Sequence, residues 1–375
     1  MLIAFITNIW GRGTGHYLME ILIQQYLEIQ IDIYYCSYSE ANRHYKIIPS
    51  RSDYYQSFHL KGEISWGVDK HFNFAIIPLI LKNKYDFYLV GGYSYPTVAL
   101  AIILCRFLKR KYILSIDHMY KKTGRKEWFK NLIKRFLIRG ANAYITTSEE
   151  AKENLIFYGV IKDKIFIAPL SCPDFFYREN IQINNSFIKP FEKYILFIGR
   201  FEEYKGVMYL LEAFKLLRGK YNYKNIGLLL IGSGSLEKKV QNWVTDNQLD
   251  KWIKIENWKP YEDLPQWYFN ALMFVCPSFY EPWAFVVNEA MAAGLPVIAT
   301  QAVGAARTLI KNRENGFIIK EKDSEELALK MKELLENETL RRKIANNAYE
   351  TQKKYTIDKI SDIYYQVFRF VLNNK

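Results

Sequence analysis

The chain has 375 residues, half of them hydrophobic, and a formal net charge of +13. A domain usually takes about 100–200 residues, so this length predicts two domains. The hydrophobic content excludes a disordered chain and allows two sizeable cores. The charge is uneven, because residues 1–189 carry 25 Lys or Arg against 16 Asp or Glu. This basic half favours anionic partners, such as nucleic acid, acidic lipid headgroups or phosphorylated substrates.

Cysteine usage and the chain start indicate the compartment. The four cysteines (Cys36, Cys105, Cys172 and Cys276) form no C-x-x-C pair, and three lie in strongly apolar or aromatic stretches. We interpret them as buried free thiols in a reducing environment. No stretch approaches the roughly 18 apolar residues of a membrane span. Residues 1–15 lack a basic region and reach glycines at once, which predicts a first strand rather than a signal peptide. We expect a cytoplasmic protein.

Short apolar runs alternate with helical patterns along the first half. This alternation predicts a parallel sheet with helices on both faces. The predicted strands are Leu2–Thr7, Ile31–Cys36, Tyr85–Val90, Lys111–Ile116 and Ala143–Thr147, with helices at Tyr17–Ile29 and Pro96–Leu108.

The alternation restarts after the polar stretch Glu179–Lys189. We therefore predict an α/β protein with two facing Rossmann-like, doubly wound domains, residues 1–185 and 190–355, and a C-terminal helix in residues 356–375 that packs on the N-terminal domain. In such sheets, ligands lie outside the carboxyl ends of the strands. The later strands are Tyr194–Ile198, Gly227–Ile231, Trp252–Ile255, Ala271–Pro277 and Pro296–Thr300, with helices at Val207–Leu217, Leu236–Val244, Phe285–Ala293 and Ile357–Leu372.

Two strand ends of the second half carry groups that suit a nucleotide. In ILFIGRFEEYKG, Arg200 follows the strand directly, and Lys205 comes just before the next helix. Two cations beside a helix N-terminus suit a diphosphate, while a solvated basic turn is the alternative. In LLLIGSGSL, the turn at residues 232–234 has amides that can meet a nucleotide, although any tight strand–helix turn has this composition.

The segment PSFYEPWAFVVNEAMAAGLPVIAT, residues 277–300, places two carboxylates around a helix start. Pro282 keeps Glu281 in the preceding loop, and the first helical amides, near Phe285–Val287, can bind a phosphate. Glu289, more than a turn further along, can accept hydrogen bonds from a ribose diol. The alternatives are a glycoside hydrolase pair, which the neighbouring cations disfavour, and a buried, satisfied Glu289.

The second half resembles the retaining glycosyltransferases of family 4, which have the GT-B fold. The resemblance is clear over residues 194–320 and rests on GRFEEYKG, IGSGSLEKKV, the stretch at residues 258–264, and the E-x7-E pair Glu281 and Glu289. It implies a transferase that moves a sugar from a nucleotide-sugar donor. One residue departs from the pattern: Ala284 stands where glycine is usual, which puts the identity of the sugar in doubt.

The resemblance also implies roles for individual residues. Glu281 acts at the donor sugar, and Glu289 binds the ribose. The diphosphate is assigned to Arg200, Lys205 and the amides of Phe285 and Val286, and the nucleobase to Ser233, Trp258 and Lys259.

The N-terminal half matches the family less well. Its glycine-rich loop, residues 11–16, implies Gly13 at the donor diphosphate and Gly15 and His16 on the acceptor side, with simple turn glycines and a structural histidine as the alternatives. After the strand Lys111–Ile116, either Asp117 or His118 occupies the family's catalytic position beside the transferred sugar, depending on a one-residue bulge.

No D-x-D sequence occurs, so we expect no metal and no other cofactor. Arg200, Lys205 and helix amides would neutralise the leaving diphosphate instead. The resemblance implies retention of configuration by front-face attack, with the donor phosphate taking the acceptor proton. We expect a UDP-linked hexose or N-acetylhexosamine as donor, and a surface polysaccharide or lipid-linked oligosaccharide as acceptor.

Residues 121–139 hold eight Lys or Arg and one acid, with apolar residues at helical spacing. This pattern is typical of an interfacial helix that docks on an anionic membrane, in which case the protein is peripheral on the inner face of the cell membrane. The alternative is an ordinary helix whose apolar side faces the core.

Three other functions compete with glycosyl transfer. A nucleic-acid-binding protein would explain the charge and the tyrosines but leaves the donor motifs unexplained, and we expect no nucleic acid. A non-catalytic nucleotide-sugar-binding subunit would keep the fold but lose donor residues. A GT-B nucleotide-sugar epimerase would need further acid and base groups in the cleft.

Overall fold

The computed structural model describes residues 1–7, 14–37, 52–65, 71–82, 84–116, 128–184 and 187–374. It divides into two compact units, Met1–Leu170 with Ile357–Lys375, and Ser171–Thr356. The chain passes from the first unit to the second at Leu170–Ser171, upstream of the polar stretch at which the sequence places the boundary.

The first unit contains a seven-stranded parallel sheet with the order β3-β2-β1-β6-β7-β8-β9, and β4 and β5 form a separate antiparallel pair. The strands β6, β7 and β8 are almost wholly buried, as expected for a parallel sheet covered on both faces. The strands are β1 Leu2–Thr7, β2 Gln30–Tyr35, β3 Gln56–His59, β4 Glu63–Ser65, β5 His71–Asn73, β6 Phe87–Gly91, β7 Tyr112–Ile116, β8 Ala143–Thr146 and β9 Ile165–Ile167; the helices are α1 Thr14–Gln25, α2 Ile76–Lys82, α3 Pro96–Phe107, α4 Trp128–Ile138 and α5 Glu149–Phe157.

The second unit contains a six-stranded parallel sheet with the order β12-β11-β10-β13-β14-β15. Its core lies between this sheet and the helices packed on it, α6 and α11 among them. The strands are β10 Tyr194–Ile198, β11 Gly227–Ile231, β12 Ile253–Glu256, β13 Met273–Cys276, β14 Val297–Thr300 and β15 Phe317–Ile319; the helices are α6 Val207–Gly219, α7 Glu237–Asp246, α8 Pro265–Phe269, α9 Phe285–Ala292, α10 Gly304–Leu309, α11 Ser324–Glu336 and α12 Glu338–Gln352.

Both sheets reverse their strand order once. In the first unit the reversal lies between β1 and β6, and in the second it lies between β10 and β13. Helices that follow strands on either side of such a point diverge, which opens a crevice at the carboxyl ends of the two central strands. The predicted α/β class with two Rossmann-like sheets is therefore confirmed.

The last helix, α13 Ile357–Asn373, belongs to the first unit. Its buried side includes Val367 and Phe368, and the Phe368 ring lies 5.1 Å from that of Phe87 on β6. At its end, the Lys111 ammonium donates to the carbonyls of Val371 and Leu372 at 3.0 and 3.2 Å. A cation at a helix C-terminus satisfies carbonyls that have no intrahelical partner.

The four cysteines are buried and free, as the sequence predicts. Among the described residues, every helix is too short or too polar to cross a bilayer.

Phe368→Ala should lower the free energy of unfolding by about 3–5 kcal/mol, because it removes a fully buried ring against β6. Denaturant unfolding followed by circular dichroism measures the change. Gln366→Ala, on the exposed side of the same helix, is the control. A loss for Phe368→Ala no larger than that of the control would contradict this packing.

Candidate functional site

The loops after β10 and β13 meet at the reversal point of the second sheet. Gly206, which begins α6, has φ +72°, and a Cβ atom there would lie 2.1 Å from the carbonyl oxygen of Pro277, the residue after β13. Only glycine allows both this left-handed conformation and this close approach. The backbone contact fixes the loop that carries Arg200 and Lys205 against the loop that carries Glu281.

Lys205 and Glu281 form an ion pair, in which the ammonium donates to the carboxylate. Both side chains are mostly shielded from water. The backbone of Glu281 is fixed as well, since its carbonyl accepts from the amide of Gly304 at 3.0 Å, and a Cβ atom at Gly304 would meet the Pro282 carbonyl at 1.9 Å. The structure thus brings together one residue assigned to the diphosphate and one assigned to the sugar.

Arg200 lies in the same loop as Lys205. Its guanidinium donates to the Tyr204 hydroxyl and lies 5.7 Å from that ring. The amide of Phe279, in the loop after β13, donates to the Tyr204 carbonyl at 2.9 Å. Tyr204 therefore orients Arg200, a role that sequence reasoning missed although the tyrosine stands between the two cations.

The glycine-rich turn after β11 is joined to this loop. The Phe201 amide donates to the Ser233 carbonyl at 2.9 Å, and the Leu236 amide donates to the Phe201 carbonyl at 2.8 Å. The Glu202 carboxylate accepts from the Ser235 amide and hydroxyl at 3.1 and 2.6 Å. Ser233 is thereby placed beside the Arg200 loop, and Glu202 is a second orienting residue that the sequence did not reveal.

Glu289 is buried in α9 and only 3% exposed. Its two carboxylate oxygens accept hydrogen bonds from the hydroxyls of Tyr261 and Tyr268, at 3.0 and 2.7 Å. Burial raises the pKa of Glu289 to about 7, and the two tyrosine hydroxyls act in the opposite direction. Loss of water disfavours the charged form, whereas donated hydrogen bonds favour it. Sequence reasoning missed both tyrosines. Because each carboxylate oxygen already accepts a hydrogen bond, a ribose that binds Glu289 would have to share the carboxylate with a tyrosine hydroxyl or displace one. Tyr261 is the less buried of the two donors.

The start of α9 has an unusual backbone. Ala284, its N-cap, has φ +85° and ψ +83°, a left-handed conformation that is costly for any residue with a Cβ atom. The amide of Val287 donates to the Ala284 carbonyl at 3.0 Å. The amides of Phe285 and Val286 precede the Val287 amide in the first turn of α9, where helix amides have no intrahelical acceptor.

The residues assigned to the nucleobase differ in their surroundings. Trp258 lies after β12 with its side chain 46% exposed, which leaves a ring face available for stacking. The Lys259 ammonium instead donates to Glu256 at 2.8 Å and lies 5.6 Å from the ring of Trp267.

Part of the predicted site falls outside the described residues, namely Gly13, Asp117 and His118. Gly15 and His16 lie in the first turn of α1. His16 is buried; one ring nitrogen is hydrogen-bonded to the Tyr55 hydroxyl and the other lies 3.2 Å from the Glu20 carboxylate. These contacts favour the structural histidine that the sequence left open.

Residues 179–351 match the sequence model of the family described as Glycosyl transferases group 1. The chain is 34% identical over 164 residues to an uncharacterized glycosyltransferase of Methanocaldococcus jannaschii, covering 44% of each protein. It is 30% identical over 231 residues to the capsular polysaccharide biosynthesis glycosyltransferase CapM of Staphylococcus aureus, covering 58% of each. The chain thus spans about half the length of the curated relatives it matches.

Solved structures match over nearly the whole chain. The Anabaena protein HepE in complex with UDP has a TM-score of 0.72 at 17% identity, covering 98% of this chain and 100% of that one. A glycosyltransferase from Rickettsia africae has a TM-score of 0.75 at 16% identity, covering 100% and 99%. At such identities the likeness shows the fold, which is GT-B. The matched family model and both sequence relatives are those of glycosyltransferases.

The raised pKa of Glu289 predicts a pH dependence of stability. Because the folded-state pKa of about 7 lies above the ordinary 4.5, the folded protein holds the extra proton between these values. Its contribution to stability is present at pH 4.5 and is lost as pH rises through 7. Glu289→Gln removes this loss, so the stability of the variant relative to the parent should rise between pH 5.5 and 8, by up to about 2 kcal/mol.

Chemical denaturation at several pH values tests this trend. The exposed Glu350→Gln is the matched control and should show a constant difference from the parent. A constant difference for Glu289→Gln as well would show that the carboxylate keeps an ordinary pKa.

Ala284→Gly should leave stability unchanged or raise it by up to about 1 kcal/mol, because relief of the left-handed strain outweighs the added freedom of the unfolded chain. Ala345→Gly, within α12, should instead cost about 1 kcal/mol. Thermal unfolding of both variants gives the comparison. Equal losses would mean that residue 284 carries no backbone strain.

Proposed function

We propose that the protein is a retaining glycosyltransferase, which moves a hexose or N-acetylhexosamine from a UDP-linked donor to a surface polysaccharide or lipid-linked oligosaccharide. The observation that carries this proposal is the joining of Lys205 and Glu281 at the reversal point of the second sheet, with Glu289 on the helix that follows Glu281. Named relatives act in capsule and lipopolysaccharide core biosynthesis. Solved structures of HepE contain UDP or UDP-glucose.

The diphosphate of the donor binds to Arg200, Lys205 and the first amides of α9, at Phe285 and Val286. The arginine binds the phosphate oxygens bidentately and the lysine acts as a point charge. The helix N-terminus adds amides and a favourable dipole. These groups supply the positive charge that a metal ion would otherwise provide, so we propose that no metal is required.

The ribose binds to Glu289. Both hydroxyls of the diol can donate to the two oxygens of an ionised carboxylate. The donor then takes the place of the Tyr261 hydroxyl or shares the carboxylate with it. The base lies near Ser233 and stacks on Trp258. Lys259 contributes only if it leaves Glu256.

In the transfer step, the bond between the sugar and the diphosphate breaks and a bond from the acceptor hydroxyl forms on the same face. The acceptor proton passes to the departing phosphate, so no protein base is needed. Arg200 and Lys205 stabilise the charge that develops on the diphosphate. Glu281 contacts the sugar, and we propose Asp117 or His118, which are outside the described residues, as the further catalytic residue.

The acceptor binds to the first unit, on the side of Gly15. His16 acts there only through its effect on α1, since both ring nitrogens have partners. We place the protein in the cytoplasm, on the inner face of the cell membrane.

Lys205→Ala and Glu281→Gln should each lower donor turnover at least about 100-fold, the usual loss when one charge-stabilising group is removed from an active site. A screen of nucleotide sugars by thermal shift first identifies the donor, because a bound donor raises the unfolding temperature. Release of free nucleotide then measures turnover. Lys239→Ala, which removes an exposed cation of α7, is the matched control.

The products distinguish the competing functions. Transfer or slow donor hydrolysis releases free nucleotide, whereas an epimerase converts one nucleotide sugar into another. A binding subunit shifts the unfolding temperature and consumes no donor. If both variants turn over the donor as fast as the parent, the catalytic site lies elsewhere.

A further inference from the structure

Helix α4 directs an apolar stripe to the solvent. Leu132, Ile133 and Phe136 are 52%, 45% and 49% exposed, whereas Leu137 and Ile138 carry the buried side. A helix of an ordinary domain turns its wider apolar stripe to the core. The sequence left this alternative open, and the exposure of three large side chains at helical spacing disfavours it.

The ends of two further helices extend the stripe. Phe107, the last residue of α3, is 78% exposed, and Phe157, the last residue of α5, is 39% exposed. The Arg106 guanidinium donates to the Phe136 carbonyl and lies 4.5 Å from its ring, which joins α3 to α4. Arg135 donates to the Phe157 carbonyl at 3.5 Å, which joins α4 to α5. We call this the aromatic–basic surface: Phe107, Leu132, Ile133, Phe136 and Phe157, with Arg106, Lys109, Lys130, Arg135 and Arg139.

The charge of this surface is mainly positive. Residues 106–116 and 128–139 contain eight Lys or Arg and no Asp or Glu. The acids of α5 (Glu149, Glu150 and Glu153) precede Phe157 by at least one turn. Arginines at helix ends also satisfy backbone carbonyls. That role does not account for the exposed Lys109 or for the exposed apolar side chains of this surface.

An anionic bilayer complements both properties at once. Aromatic and aliphatic side chains enter the boundary between headgroups and acyl chains, while neighbouring cations pair with lipid phosphates. We propose that the aromatic–basic surface docks the first unit on an anionic membrane.

The proposal differs from one based on the predicted segment 121–139 alone. Phe107, at the end of α3, and Lys109, two residues later, belong to the docking face although they lie outside that segment. Lys134 contributes less, because it is half-buried and its ammonium lies 5.9 Å from the ring of Tyr158. Docking depends on this surface and not on the donor site.

Sedimentation with vesicles tests the proposal. The full chain should bind vesicles of phosphatidylcholine with 30% phosphatidylglycerol at low salt, bind pure phosphatidylcholine far more weakly, and dissociate at about 0.5 M salt as charges are screened. Lys109→Gln with Lys130→Gln should weaken binding roughly fivefold per lysine. Phe107→Ser with Leu132→Ser should weaken it about tenfold or more, because the apolar contact is lost.

Two controls match these changes. Lys238→Gln with Lys239→Gln removes two exposed charges from α7, and Leu27→Ser removes an apolar side chain that is 88% exposed after α1. Both should bind as the parent does, and all variants should keep the parent's unfolding temperature. Unchanged binding of the Phe107 and Leu132 variant, equal losses in the controls, or equal binding to both vesicle types would overturn the proposal. Since no donor is present, any of these results leaves the proposed transfer reaction untouched.

Discussion

The candidate donor site depends on how closely the backbone segments approach at the carboxyl ends of β10 and β13. At Gly206 and Gly304, a single added carbon would overlap a carbonyl oxygen of the facing loop. Because both contacts are between backbones, the loops have little freedom, and the side chains they carry are set at fixed positions. Lys205 and Glu281, 76 positions apart, meet for this reason. A site built on such contacts is already organised before a ligand arrives, which lowers the entropy lost on binding.

The carboxylates of Glu281 and Glu289 are stabilised in two different ways. Lys205 and Glu281 neutralise each other where water is partly excluded, so an arriving diphosphate competes with a carboxylate for the ammonium. Within the described part of the chain, the charge of Glu289 is stabilised by two tyrosine hydroxyls rather than by a cation. A neutral donor is a weaker partner for a carboxylate than a cation, which is consistent with the raised pKa of Glu289.

The sequence predicts the central strands better than the edges. β10 and β11 have the predicted bounds because both are continuous apolar runs with glycine at an end. The edge strand β3 was missed since it alternates exposed and half-buried residues and contains few β-formers. Within the site, the motif residues could be named from their spacing, but their partners could not. Tyr204, Tyr261 and Tyr268 act through contacts that arise only when separate loops pack together, and a chain with 29 tyrosines offers no pattern that distinguishes these three.

Amide hydrogen exchange, with and without a nucleotide that binds, tests most directly whether the second unit holds the donor. The account predicts that the nucleotide slows exchange in residues 199–206 and 281–289, because the first amides of α9 and the Arg200 loop contact the diphosphate. Residues 324–336 of α11 should exchange at the same rate in both samples. Slower exchange confined to the first unit, with residues 199–206 and 281–289 unchanged while the nucleotide is bound, would contradict the account.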